Sequence, residues 1–147
     1  MAQAVDTSIL VRQADVNSPD RPIALGAIAR LAERGETLQV FAQNMMEFWV
    51  VATRPQAVNG LGLSIVDTDA ERKRLERLFL LLSDPPDLCA RWITLVDQFG
   101  VSGNPAHDAR IVAATLAHGL THILTFNSGD FKRYTALGIV AIDPAQV

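Results

Sequence analysis

The chain carries one cysteine, Cys89, among 147 residues. An intrachain disulfide is therefore impossible, and no Cys/His spacing of the zinc-binding kind occurs. A reducing, cytoplasmic setting is the expectation. Long apolar runs are also missing. The longest, Phe48–Ala52 and Leu78–Leu82, are far too short to span a bilayer. No membrane contact is expected, and the N-terminus lacks a basic stretch leading into an apolar run. Positive charge is scarce as well: 13 Lys and Arg face 16 Asp and Glu, a net charge of −3. That argues against a surface coated in basic charge for nonspecific nucleic-acid binding. It does not exclude a nuclease, whose site carboxylates lower the isoelectric point and whose metal ions offset that charge locally. There is no Gly-x-Ser-x-Gly nucleophile elbow. Gly60-Leu61-Gly62 lacks the third glycine of a dinucleotide loop and the Lys-Ser/Thr of a phosphate loop, so it reads as a turn.

What is present suits a globular protein. The composition is 49% hydrophobic and 20% charged, and the length fits one domain over residues 1–147 with room for a sizeable core. Apolar periodicity alternates between strands and helices. Ala2–Asp6 is a short strand, and Arg21–Arg34 a helix closed by Gly35. Leu38–Ala42 is a strand, and Asn44–Ala52 a helix that stops before Pro55. After the Asn59–Ser64 loop, Thr68 or Asp69 caps a helix running to about Ser83. A very short strand near Asp87–Leu88 follows Pro85 and Pro86, then a helix over about Ala90–Gly100. Asn104-Pro105 opens a helix that ends at Gly119. His122–Thr125 is a strand, Phe131–Tyr134 lies in a short helix, and Ile139–Ile142 is a last strand. This alternation predicts a three-layer α/β/α sandwich around a mainly parallel sheet of four to five strands. Ligands of such sheets bind beyond the carboxyl ends of the strands, here after Asp6 and after Thr125.

Three acids stand in informative places. Glu47 lies in Met45-Met46-Glu47-Phe48-Trp49-Val50-Val51-Ala52, a segment apolar nearly all round. An ionised carboxylate buried there is costly unless a cation or donors meet it. A capping box with Asn44 as N-cap is the competing reading. Asp6 ends the first strand, where it can coordinate a metal or serve as a turn or helix N-cap aspartate. Asp108 falls in the first turn of its helix, where the helix dipole alone stabilises it. Each acid has an ordinary explanation. Together they start or end three elements that one sheet edge can unite. Carboxylate oxygens suit Mg²⁺ or Mn²⁺ rather than zinc, and such ions serve phosphodiester hydrolysis.

Nearby polar residues have two readings. Thr7, Ser8 and Thr125 can support the carboxylates or a phosphate, or serve as caps and turns. Arg12, Arg54, Arg110, Lys132 and Arg133 are candidate phosphate contacts for RNA, or solvated surface charges. His107 points elsewhere on the helix than Asp108 and reads as packing or solvated. Trp49 and Trp92 sit in apolar helical patterns and read as core or interface.

Several segments, in order, resemble the motifs of PIN domains. They are Asp6-Thr7-Ser8, then Gln43-Asn44-Met45-Met46-Glu47-Phe48 with Val51-Ala52-Thr53-Arg54-Pro55. Asn59-Gly60-Leu61-Gly62-Leu63-Ser64, His107-Asp108-Ala109-Arg110 and Leu124-Thr125-Phe126-Asn127-Ser128-Gly129-Asp130-Phe131 follow. The likeness spans the chain and is greatest to the VapC-type toxins of bacterial toxin–antitoxin pairs. It implies an endoribonuclease dependent on Mg²⁺ or Mn²⁺, with metal ligation by Asp6 and Asp108 and Glu47 as a third acid. It implies an antitoxin partner and commonly a homodimer. Many PIN domains carry a fourth acid where this chain has Asn127. Asn127 brings an oxygen without charge, and Asp130, the next acid, is either a site residue or a helix cap. That departure allows a catalytically weak or inactive PIN-fold module that binds RNA or protein. A haloacid-dehalogenase-like phosphatase needs an aspartate two residues after its nucleophile, and position 8 is serine.

Overall fold

The computed structural model describes all 147 residues, Met1–Val147. Five parallel strands form one sheet in the order β3-β2-β1-β4-β5. They are β1 (Ala2–Val5), β2 (Thr37–Phe41), β3 (Leu80–Leu82), β4 (His122–Leu124) and β5 (Val140–Ile142). Six α-helices connect them: α1 (Thr7–Ala14), α2 (Arg21–Glu33), α3 (Ala42–Thr53), α4 (Ile65–Leu78), α5 (Leu88–Gln98) and α6 (Pro105–Ala117). A 3-10 segment, Ser128–Leu137, joins β4 to β5. The chain lays down β1, β2 and β3 outward to one side, then returns to place β4 and β5 on the other side of β1. The switch in strand order thus falls between β1 and β4, where a crevice opens at the strands' carboxyl ends.

The central strands β1, β2 and β4 are largely buried, as a parallel sheet between helices requires, while the edge strands β3 and β5 are more exposed. Alternate residues feed two cores. Ala4, Phe41 and Ile123 pack under α5, α6 and the 3-10 segment, against Val112 and Tyr134. Val5, Val40 and Leu124 pack on the opposite face against Ile9, Ile28, Phe48 and Leu75 from α1 to α4. The expected three-layer α/β/α architecture is the one observed.

Four local expectations need correction. The residues after Asp6 form helix α1 (Thr7–Ala14), an element the sequence signalled only through Asp6 as a possible helix N-cap. The short strand is Leu80–Leu82 rather than Asp87–Leu88, and it takes the end of the expected helix to Ser83. Leucine tolerates either state, so pairing with Gln39–Phe41 of β2 decides. Asp87 instead stands before α5 as its N-cap residue. Helix α4 begins earlier than expected: Ser64 Oγ accepts the Asp67 N–H at 3.0 Å, whereas the Thr68 hydroxyl donates to Ser64 O. Finally, α3 starts at Ala42, so Asn44 is its third residue. The Asn44 Oδ1 accepts the buried Phe41 N–H at 2.7 Å. Asn44 does the capping, and Glu47 in the second turn is released from it.

The Asn59–Ser64 loop is a turn, as expected. Asn59 has a left-handed backbone, φ 65°. Gly60 lies so close to the end of α3 that a Cβ there would fall 1.9 Å from Arg54 O. No side chain fits, and the loop folds back with Gly62 N–H on Arg54 O at 2.8 Å.

Candidate active site

Asp6 leaves β1 at the crevice and is 6% exposed. Its backbone N–H donates to Leu124 O of β4 at 2.9 Å, which fixes its place at the strand switch. Asp6 occupies the N-cap position of α1, yet its side chain caps nothing. It accepts instead from two hydroxyls, Ser8 Oγ at 2.8 Å and Thr125 Oγ1 at 2.9 Å, both on Oδ2. Oδ1 is left for another partner. Ser8 Oγ also takes the Phe126 N–H at 3.2 Å, and Thr125 Oγ1 takes the Asn127 N–H at 2.9 Å. The three hydroxyl residues therefore have distinct duties. Ser8 and Thr125 hold Asp6, while Thr7 Oγ1 accepts from Asn44 Nδ2 at 3.1 Å and lies 3.5 Å from Glu47 Oε1.

A cleft of about 320 Å³ opens beside Asp6, lined by Glu47, Asn104, Pro105, His107, Asp108, Asp130 and Arg133. No apolar side chain other than Pro105 lines it. Glu47 reaches it from α3, Asp108 from the first turn of α6, and Asp130 from the 3-10 segment. Burial raises the pKa of Asp108 to about 7, and the charges of Asp6, Asp130 and Glu47 add to the rise; Arg133 opposes them. Burial also raises Glu47, with Asp6 contributing in the same direction. The adjacent Gln43 amide, His107 and Thr7 pull it back. Four carboxylates from four segments thus act on one another at the sheet edge. No three of them stand close enough to hold one ion between them.

The remaining candidates divide. Arg133 lines the cleft. Arg110 is engaged elsewhere, donating to Gln43 Oε1 and Asp84 Oδ2, each at 2.8 Å. Arg54 lies by Met46 and Val50 on the outer side of Glu47. Lys132 is exposed beside Phe131 and Ile139, away from the cleft. Arg12 pairs with Asp20 at 2.8 Å and lies over the Phe126 ring. Asp130, and not Asn127, lines the cleft, and Asp130 makes no side-chain cap. Trp92 packs beside the core and donates to Ala106 O at 2.8 Å. His107 faces the cleft, contrary to the expectation that it points away. Positions 104, 107 and 108 are spaced by three and four residues at the start of α6, so they share the face that lines the cleft. Asn104 also lines the cleft, unmarked in the sequence beyond its place before Pro105. Gln43 was missed too; its amide was invisible in a motif read only for its acid.

The model of the PIN domain family matches residues 4–137. No curated protein sequence matches the chain. Solved structures with the same fold include VapBC-1 from nontypeable Haemophilus influenzae, at 16% identity and TM-score 0.69, covering 98% of each chain. VapBC2 from Rickettsia felis, bound to a promoter DNA fragment, has 16% identity and TM-score 0.72, covering 97% of this chain and 100% of that one. VapC20 of Mycobacterium tuberculosis, described as a Sarcin-Ricin loop cleaving toxin, has 18% identity and TM-score 0.67, covering 100% and 98%. The Asp6 crevice, the ordered motifs and the family match over residues 4–137 agree: the chain belongs to the PIN domain family.

Proposed function

We propose that this PIN domain is an endoribonuclease dependent on Mg²⁺ or Mn²⁺, the toxin of a toxin–antitoxin pair. One observation carries the reading. Glu47, Asp108 and Asp130 line one cleft beside Asp6, and burial together with the charges of the other three acids lifts Asp108 to about 7. Folding gains nothing from such an arrangement, so it calls for a cation.

The residues fit a hard divalent ion. The donors are all oxygen, and Asp6 offers a free Oδ1 on a carboxylate already fixed by two hydroxyls. Mg²⁺ takes one or two carboxylates and keeps several waters, so three acids in mutual contact are not required. Asp6 and Asp108 would hold the ion, with Glu47 and Asp130 beside them. When bound, the ion supplies water activation and neutralises charge on the phosphodiester. Glu47 and Asp130 orient the attacking water by accepting its hydrogen bonds. Arg133, on the rim, meets a phosphate oxygen and places the backbone. Asn104 and His107 offer polar contacts to the same strand. Asn127 has no part in this scheme.

The toxin reading rests on structural neighbours solved as VapBC complexes and on VapC20, described as a Sarcin-Ricin loop cleaving toxin. Exposed apolar side chains support a protein partner. Met46 on α3 is 66% exposed and Val66 on α4 is 78% exposed. An antitoxin and a second copy of the chain, as a homodimer, are the proposed partners. No helix is long and apolar enough to cross a membrane. Incubation with mixed RNAs and Mn²⁺ tests the reading. Cleavage that EDTA abolishes is expected; RNA left intact under all Mn²⁺ and Mg²⁺ conditions refutes it.

A further inference from the structure

Glu47 and Asp108 belong to helices on opposite faces of the sheet. Helix α3 packs with α1, α2 and α4 through Phe48 and Ala52. Helix α6 packs with α5 through Ala109, Val112 and Ala113. The two helices share little direct packing, and the carboxylates they carry repel each other. Something else must fix the distance between them.

Gln43 is the side chain that crosses the edge. It stands one turn before Glu47 on α3 and is 7% exposed. Its Nε2 donates to His107 O at 2.9 Å, the carbonyl next to Asp108. Its Oε1 accepts from Arg110 Nη1 at 2.8 Å, one turn further along α6. These are the only side-chain hydrogen bonds between α3 and α6. The Arg110 guanidinium cannot accept, so it admits only the oxygen of the amide. That sets the amide's flip and aims its NH₂ at His107 O. Asp84, holding the other end of Arg110 at 2.8 Å, keeps the guanidinium in place.

We propose that Gln43 is a positioning residue, locked by Arg110, that sets the separation of Glu47 and Asp108 and thereby the affinity of the cleft for a divalent cation. The inference rests on the metal-site reading above. Removing a partner that orients ligands typically costs about 10–100-fold in metal affinity.

The experiment measures Mn²⁺ binding to the full chain by electron paramagnetic resonance, with melting temperature followed in parallel. Gln43→Met keeps the length and loses both hydrogen bonds; about tenfold weaker Mn²⁺ binding is expected. Arg110→Met leaves Gln43 in place but unlocked, and a smaller loss is expected. The double variant should bind no more weakly than Gln43→Met alone, since Arg110 acts through Gln43. Arg110→Lys, which keeps one donor, should regain most of the loss. A fall in melting temperature alone, with affinity per folded molecule unchanged in Gln43→Met and Arg110→Met, overturns the inference while leaving the metal site standing. Additive losses in the double variant overturn the coupling it asserts. A wild-type chain that binds no Mn²⁺ removes the metal-site reading, and this inference with it.

Discussion

Thr125, directly after β4, has its hydroxyl 2.9 Å from Asp6 Oδ2, and neither residue is more than 6% exposed. A buried carboxylate held by two hydroxyl donors keeps one geometry. Thr125→Val keeps the shape and deletes the donor. It should destabilise the fold by about 1.5–3 kcal/mol, the usual cost of a hydrogen bond to a charged group. Urea unfolding at unchanged slope is the check; an unchanged midpoint contradicts it.

Asn44 and Glu47 make opposite predictions. Asn44 is fully buried and caps α3 through Phe41 N–H. Asn44→Ala should cost about 2 kcal/mol or more of stability. Glu47→Gln removes a strained charge and no cap, so stability should hold or rise while RNA cleavage falls. A large stability loss in Glu47→Gln would contradict the reading of Glu47 as a strained charge.

Asp108 makes stability depend on pH in an unusual sense. Its folded pKa, about 7, lies above the ordinary 3.8. Between those values the folded state binds more protons than the unfolded chain, so stability falls as pH rises. Without metal, the Asp108→Asn variant should gain on the wild type by on the order of 1 kcal/mol at pH 8 and little at pH 4; solvent screening of a half-buried group limits the effect. Mn²⁺ should raise the wild-type melting temperature more at pH 8 than at pH 5.5, because protons and metal compete for the site. Thermal melts over this range decide it.

Gly60→Ala tests the loop behind Arg54. Its methyl would lie 1.9 Å from Arg54 O, a backbone atom that cannot swing away. A loss of about 2 kcal/mol or more is expected. Wild-type stability in this variant would mean that the loop does not lie against the end of α3.

Much of this could be read from residue order. Pro105 and Gly119 bracket α6, and the apolar His122–Thr125 run ends where Asp6 needs a neighbour. Alternating apolar periods were enough for the three-layer arrangement. Other features depended on long-range contacts. The Leu80–Leu82 strand has a helix former's composition and becomes a strand only by pairing with β2. Helix α1 has just eight residues, and its Ile9 and Leu10 look like loop anchors until their burial is known. Asp6 and Asp108 were recognisable as acids at element ends, and Glu47 as an acid among apolar neighbours within a helix. The choice of Asp130 over Asn127 was not, because the two lie three residues apart and only the 3-10 path decides which faces the cleft. Gln43 stayed hidden for a similar reason: its partners, His107 and Arg110, are more than sixty residues away.

The central claim is that the Asp6, Glu47 and Asp108 cleft hydrolyses RNA with a divalent cation. Single-turnover cleavage of labelled RNA in Mn²⁺, by wild type and Asp108→Asn side by side, tests it most directly. Cleavage by the wild type is expected, with a loss of at least about 100-fold in the variant, equivalent to about 2.7 kcal/mol, while the variant stays folded. Equal rates in the two proteins, or no cleavage by either, would contradict it.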